Sequence, residues 1–434
     1  MSYRHFSFAL VAFLLLLLLA GCTQPTKLPP NQAQRGSVEY NFAAEILYDF
    51  FIFPDSLPAD TFGFASPQAL YQSVNERWTV YFPPDSAQQF LNFLTTQSGG
   101  MGVLLDSVSN GFVIKQVFPN SPAQAAGLMK GDTIDSINGS SLAGVSFDVF
   151  HSIAGGNIGD QKTLHIIRAS GPVTIVVTLG TYLAPSVFTD SLDSSAAYIY
   201  LSIFSSQTDM PGGTIQEMDS ALVATQWAPY TVLDLRGCPG GDIDQCVGVC
   251  GRFIADNTPI IRIHEWLLDT VRLTISLVDT ELVSSFRGAS LSRKFVLLVD
   301  SNTASAAEIL TSCIMSNRPD ITTMGTKTFG KARGQVLYQT PDSGLAKVTF
   351  ALLKPVVGQP YDLVGIQPDI SVPPDSDAIT VAEALIAQNT GASKPLASAF
   401  AAHKPSDSRI NALRKEYGRA GSTPMAIKRM KTRL

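Results

Sequence analysis

Two short stretches carry residues whose types and spacing could do chemistry. Thr303-Ala304-Ser305-Ala306-Ala307-Glu308-Ile309 follows the apolar run Phe295-Val296-Leu297-Leu298-Val299-Asp300 and opens the apolar pattern Ile309, Leu310, Ile314. A serine at such a strand-to-helix turn has its hydroxyl beside helix amides that lack intrahelical acceptors, and those amides can stabilise an oxyanion. The second stretch, Thr328-Phe329-Gly330-Lys331-Ala332-Arg333-Gly334-Gln335, places a lysine between two glycines and a glutamine four residues after it. A lysine partly removed from water has a lowered pKa and can deprotonate a serine. Ser305 and Lys331 together suggest a Ser-Lys nucleophilic hydrolase. Taken singly, the same residues read as a helix N-cap, a solvated loop lysine and, for Gln335, a surface amide. Glu308 reads as a first-turn helix residue facing the dipole.

A third turn completes the set. Arg236-Gly237-Cys238-Pro239-Gly240-Gly241 follows the apolar strand Thr231–Leu235. Gly-Gly at a strand end lets backbone amides approach a ligand closely, so this turn can supply an oxyanion donor to a nucleophile on a neighbouring turn. A phosphate loop is the rival, but no Gly-x-x-x-x-Gly-Lys-Ser/Thr run and no dinucleotide fingerprint is present. A histidine base would have to be His264, which lies inside a strand-like run and reads as a strand residue.

These turns need rigid elements behind them. Residues 195 to about 390 alternate strands and helices, which predicts an α/β layer. Strands are expected at Tyr198–Phe204, Thr231–Leu235 and Lys294–Asp300, with helices at Gly213–Gln226, Asp242–Ile254 and Ala304–Asn317. Lys347–Leu353 and Val364–Ile370 read as strands near the edge of the core. Residues 37–100 mix aromatics with turn signals and predict a small, mainly helical N-terminal domain, from helical spacing in Val38–Phe53, Ser66–Tyr71 and Asp85–Leu94. From Met101 the pattern turns β-rich, with strand-like runs at Met101–Leu105, Gly111–Val117, Thr133–Ile137, Thr163–Arg168 and Thr174–Leu179. Between them, Ser121 caps a short helix ending at Gly127, and Asn138-Gly139 signals a hairpin turn.

The 101–182 stretch resembles a PDZ domain of the kind found in bacterial proteases. Such domains take an extended peptide as an added strand and hold its C-terminal carboxylate with backbone amides. On that resemblance the carboxylate loop is Met101-Gly102-Val103-Leu104. The ordered set Tyr198–Phe204, Leu233–Gly241, Thr303–Ile309 and Thr328–Lys331 then resembles the carboxyl-terminal processing (tail-specific) serine peptidases over roughly residues 40–385. The resemblance implies a ClpP/crotonase-like β-α superhelix core over 183–390, with the PDZ domain inserted after the helical N-terminal domain. It also implies Ser305 as nucleophile, Lys331 as general base and Gln335 as the residue that orients the lysine. The amides of Ala306 and of Gly240 or Gly241 would form the oxyanion hole. Three features depart from the family pattern: Cys238 where Asn is usual, Ala-Arg-Gly after Lys331 where Gly-Thr-Val is common, and one extra residue near Arg318-Pro319-Asp320.

The N-terminus reads as a targeting segment. Arg4 and His5 precede the apolar run Phe6–Leu19, and Leu19-Ala20-Gly21-Cys22 follows, an ending that resembles a bacterial lipobox. Residues 1–21 are expected to be a lipoprotein signal peptide, Cys22 the lipidated residue and 22–36 a polar tether. The expected location is the bacterial cell envelope, anchored through Cys22, with Thr23 hinting at the outer membrane by resemblance. A net charge of −5 gives no reason to expect nucleic acid. Cys238, Cys246, Cys250 and Cys313 read as buried thiols, and neither metal nor other cofactor is expected. Residues 391–434 form a basic helix or tail. The reading is a lipid-anchored endopeptidase for unfolded or C-terminally exposed segments. The alternative is a peptide-binding scaffold with an impaired site, and an ester- or lipid-directed core is a third possibility that no residue favours.

Overall fold

A computed structural model of the chain describes residues 36–60, 63–192, 196–269, 274–286, 291–373, 376–391 and 425–429. Cys22 and the signal-like segment lie outside the described residues.

The apolar strands of the second half align in one six-stranded sheet. Its order is Val187–Ser191, Ala196–Leu201, Tyr230–Asp234, Lys294–Val299, Thr322–Gly325 and Ile370–Ser371; the first pair is antiparallel and the rest parallel. Side chains alternate between its two faces, as a pleated strand requires. Ile199, Leu201, Leu233, Leu235, Leu297 and Val299 meet the helices Gly213–Ala224, Ile243–Cys250 and Ala306–Asn317. Tyr198, Tyr200, Val232, Val296 and Leu298 meet the helix Ala378–Asn389 on the other face. Both faces are covered, so these strands read as near-continuous apolar runs.

A second sheet stands beside the first. Its strands run in the order Gly240–Asp242, Met425–Arg429, Arg333–Gln339, Leu345–Lys354, Pro259–Asp269 and Thr274–Val283, with Val80–Phe82 paired to the start of Leu345–Lys354. The strand expected at Lys347–Leu353, near the edge of the core, is present as Leu345–Lys354 and is central in this sheet. The expected strand Val364–Ile370 is also corrected, since only Ile370–Ser371 pairs. The Tyr361 carbonyl accepts the Val364 and Gly365 amides at 3.1 and 2.9 Å, and Leu363 and Gly365 have positive φ. The run is a turn whose apolar Leu363 and Val364 are exposed.

Three N-terminal helices, Val38–Phe50, Pro67–Ser73 and Pro84–Leu94, lie against this second sheet. Tyr40, Ile46, Leu47, Leu70 and Tyr71 pack on Val336, Tyr338, Ala346 and Val348. The N-terminal helices thus cover the sheet that bears Gln335.

The β-rich insert has its own core of Met101, Val103, Leu105, Phe112, Ile114, Ile134, Ile137, Leu164 and Ile166. Asn138 and Gly139 both have positive φ, the two-residue turn that matches strand twist. Its entry and exit strands, Gln97–Gly100 and Gly180–Leu183, pair with each other. Leu104, Phe118 and Tyr182 pack against the core beside Ala184 and Phe188.

Candidate active site

The serine turn, the lysine loop and the Gly-rich turn converge at one end of the six-stranded sheet. Each follows the carboxyl end of a neighbouring parallel strand, where α/β folds place their sites. Asp300 ties two of them: its Oδ1 accepts the amides of Gly237, Asn302 and Thr303 at 2.9, 2.9 and 3.0 Å. The Thr303 hydroxyl donates to the Leu235 carbonyl, and the Cys238 carbonyl accepts the Ala304 amide at 3.0 Å. Cys238, where the family usually has Asn, is fully buried at this junction. Its neighbour Asp234 is gripped by Arg236 through Nε and Nη2 and accepts the Tyr198 hydroxyl at 2.7 Å.

Ser305 occupies a strained backbone, φ 60° and ψ −116°, immediately before the helix Ala306–Asn317. A non-glycine residue held there costs about 1–3 kcal/mol, and such strain persists only where surrounding contacts impose it. The principal contact is Glu308. One carboxylate oxygen accepts the Ser305 and Lys331 amides at 2.9 and 2.8 Å; the other accepts the Thr328 hydroxyl and Gly330 amide at 2.5 and 2.7 Å. Four donors hold one buried carboxylate, which joins the serine and lysine loops. Burial pushes its pKa up, and those hydrogen bonds pull against the shift. The dipole role expected for Glu308 is thus too small a description. Its spacing after Ser305, Ser-x-x-Glu, is a capping-box signal that could have pointed to the reach back to the Ser305 amide.

Lys331, Ser305 and Gln335 are all fully buried. Lys331 Nζ donates to Ser305 Oγ at 3.1 Å, to Gln335 Oε1 at 2.6 Å and to the Arg333 carbonyl at 3.2 Å. Burial, then the nearby Lys347 charge, holds the Lys331 amine well below the ordinary lysine range, against the pull of Glu76, Glu308 and Asp362. A neutral amine at hydrogen-bond distance from a hydroxyl can take its proton. Gln335 Nε2 in turn donates to the Arg333 carbonyl at 3.2 Å and to Thr349 Oγ1 at 3.4 Å, which fixes the amide so that its oxygen faces the lysine. Thr349 donates to Glu76 at 2.7 Å.

Arg333, the departure two residues past the lysine, points away from it. Its guanidinium pairs with Glu76 at 3.0 Å and Asp362 at 3.1 Å. Trp78 is a residue that sequence reasoning missed. Its ring lies 5.2 Å from Lys331 Nζ, edge-on to Phe329, with the Arg77 guanidinium 4.2 Å from its centroid. A lone Trp in an aromatic-rich N-terminal segment gives no signal that it will reach a loop some 250 residues later.

The remaining expected residues fall as follows. Ala306 is the first residue of the nucleophile's helix, where an amide has no intrahelical acceptor. Gly240 and Gly241 form a short strand rather than an open turn, backed by Phe204, whose carbonyl a Cβ on Gly241 would approach to 2.1 Å. Met101–Leu104 lie where the insert meets the core: the Met101 and Gly102 carbonyls accept the Ala123 and Phe118 amides, and Val103 begins a strand. His264 Nδ1 lies 2.7 Å from Asp279 Oδ1 across its hairpin, within the strand role expected of it. Cys238, Cys246, Cys250 and Cys313 are all buried and reduced.

Comparison with known proteins accords with this arrangement. Peptidase family S41 matches residues 195–372, and a PDZ domain matches residues 99–179. The S41 match thus covers the strands and turns of the candidate site, the PDZ match covers the β-rich insert, and the curated relatives that align with the chain include carboxy-terminal processing proteases. Among curated S41-like relatives, the carboxy-terminal processing protease CtpA of Bacillus subtilis (strain 168) is 24% identical over 306 residues, 70% of this chain and 62% of that protein. The carboxy-terminal-processing protease of Bartonella bacilliformis is 26% identical over 298 residues, 67% of this chain and 65% of the relative. The matched stretch therefore spans under two thirds of each relative's length. A solved S41 protease candidate from Bacteroides fragilis NCTC 9343 superposes with a TM-score of 0.51 at 15% identity, covering 86% of this chain and all of that one, which shows the S41 fold.

Proposed function

We propose that the chain is a serine endopeptidase that cleaves unfolded or C-terminally exposed protein segments through a Ser-Lys acyl-enzyme mechanism. The observation that carries this reading is the 3.1 Å contact between Lys331 Nζ and Ser305 Oγ, with both groups buried and the amine held toward its neutral form. Lys331 takes the hydroxyl proton as Ser305 attacks a peptide carbonyl, and the resulting ammonium rests on Gln335 Oε1 and the Arg333 carbonyl. The same proton passes to the leaving amine, and a water activated by Lys331 releases the acyl group. The Ala306 amide and an amide of Gly240 or Gly241 stabilise the oxyanion.

The substrate class rests on the relatives' names and on the PDZ domain. Met101–Leu104 would take the carboxylate of a substrate tail by strand addition. Lipid attachment at Cys22, and with it placement at the bacterial cell envelope, rests on the sequence Leu19-Ala20-Gly21-Cys22 alone.

A fluorophosphonate probe tests the mechanism. The wild type should gain one adduct by intact mass, and Ser305→Ala and Lys331→Ala should gain none and should not degrade unfolded casein. Casein cleavage by Ser305→Ala equal to the wild type would overturn the nucleophile assignment.

A further inference from the structure

Gly240–Asp242 and Arg333–Gln339 do not pair with each other. Each pairs instead with Met425–Arg429, which lies parallel to both. Met425, Ala426 and Ile427 stand opposite Gly240, Gly241 and Asp242 on one side. Ile427, Lys428 and Arg429 stand opposite Gln335, Val336 and Leu337 on the other. Remove the segment, and two strand edges face each other across a slot one strand wide, their backbone groups unpaired. Only an extended chain satisfies both edges, and it does so through its backbone.

The slot is bound to the catalytic geometry. Gly240 and Gly241 are the proposed oxyanion turn, pressed from behind by Phe204, so their open edge faces the slot. Gln335, opposite Ile427, accepts the hydrogen bond from Lys331. A peptide lying in the slot is therefore flanked by the oxyanion turn and by the strand that holds the base. The occupant carries Lys428 and Arg429 and is followed by Lys431 and Arg433. Residues 390–424 separate it from the last core helix, ample length to reach the slot.

We infer that this slot is an extended-peptide site and that its resident occupant is the chain's own basic segment Met425–Arg429, which an incoming peptide must displace. The occupancy stands on the backbone register; only its effect on turnover rests on the peptidase reading.

Binding is measured without turnover, on the Ser305→Ala background. A fluorescein-labelled peptide of residues 425–434 is titrated by anisotropy against the full chain and against a chain ending at residue 424. A third protein carries Ile427→Pro, which removes the ladder N–H at the residue paired on both sides without shortening the chain. The truncated and proline chains should bind the peptide, and the full chain about tenfold more weakly, as expected if the tail fills the slot about nine-tenths of the time. Equal binding to all three, or none to the truncated and proline chains, overturns the inference. On the wild-type background, truncation should raise casein cleavage about threefold or more, and added peptide should reverse the gain. If binding follows the expected pattern while no chain cleaves casein, the peptidase reading fails and the tail assignment stands. If all chains cleave alike and bind the peptide alike, the tail assignment fails and the peptidase reading stands.

Discussion

Lys331 Nζ lies closer to Gln335 Oε1, at 2.6 Å, than to Ser305 Oγ, at 3.1 Å. The amide oxygen positions the amine without adding a charge. Gln335→Glu should keep the geometry and add that charge, which favours the ammonium. The acid limb of kcat/KM should then move to higher pH by about one unit or more, with activity recovering at alkaline pH. A pH profile checks this; an unshifted limb would mean that the glutamine does not face the base.

Lys347 offers a second test in the same direction. It is buried on the central strand, its amine 5.6 and 5.2 Å from the Phe82 and Phe90 ring centroids, and burial brings its pKa down to about 8. Below that pH its charge repels a proton from Lys331. Lys347→Met should let the Lys331 pKa rise and shift the acid limb upward. Stability has its own sign. The folded state binds fewer protons than the unfolded chain between about 8 and the ordinary lysine value of about 10.4, so stability from this group rises with pH across that window. Denaturant titrations at several pH values should lose that slope in Lys347→Met.

Ser305 is a site where catalysis and stability should part. Its φ of 60° suits glycine, which bears no Cβ penalty there. Ser305→Gly should abolish cleavage and raise stability by about 1 kcal/mol. Urea midpoints of the wild type and Ser305→Gly compare the two; a clear loss of stability would mean that the backbone strain is not released.

Asp209 and Glu217 form an acid pair near the exit of the PDZ insert. Glu217 Oε2 accepts the Ser186 hydroxyl and the amides of Ser186 and Val187. Burial and the adjacent Glu217 push the Asp209 carboxyl up to about 8. A raised acid is protonated in the folded state while the unfolded chain is already ionised. Stability should therefore fall as pH rises from about 4 to about 8. Asp209→Asn should flatten that fall, measured as melting temperature against pH.

Much of this site was legible because chemistry and local pattern coincided. Ser305, Lys331 and Gln335 sit in loops whose flanking strands and glycines announce themselves over a few residues. Glu308 was visible but undervalued, since its role depends on a loop more than twenty residues later. Trp78, Thr349 and Lys347 were not legible as site residues, because only tertiary packing brings their strands and turns to the base. The misread run at Val364 shows the limit of apolar pattern: Leu363 and Val364 look like a strand, but Gly365 turns the chain. The strand Met425–Arg429 falls in the stretch whose sequence suggests only a basic helix or tail, because pairing with two distant edges leaves no local trace.

Gly330 and Gly365 meet backbone to backbone: a Cβ on Gly330 would lie 2.7 Å from the Gly365 nitrogen, and one on Gly365 would lie 2.2 Å from the Thr328 carbonyl oxygen. At these two positions backbone meets backbone, with no space for a side chain on either glycine. The seat of the lysine loop is consequently fixed on that side like a machined clearance. Drift elsewhere in the chain can be absorbed by repacking. Here a single added carbon would press on the loop that carries Lys331, so these two positions have almost no room to vary while that loop keeps its place.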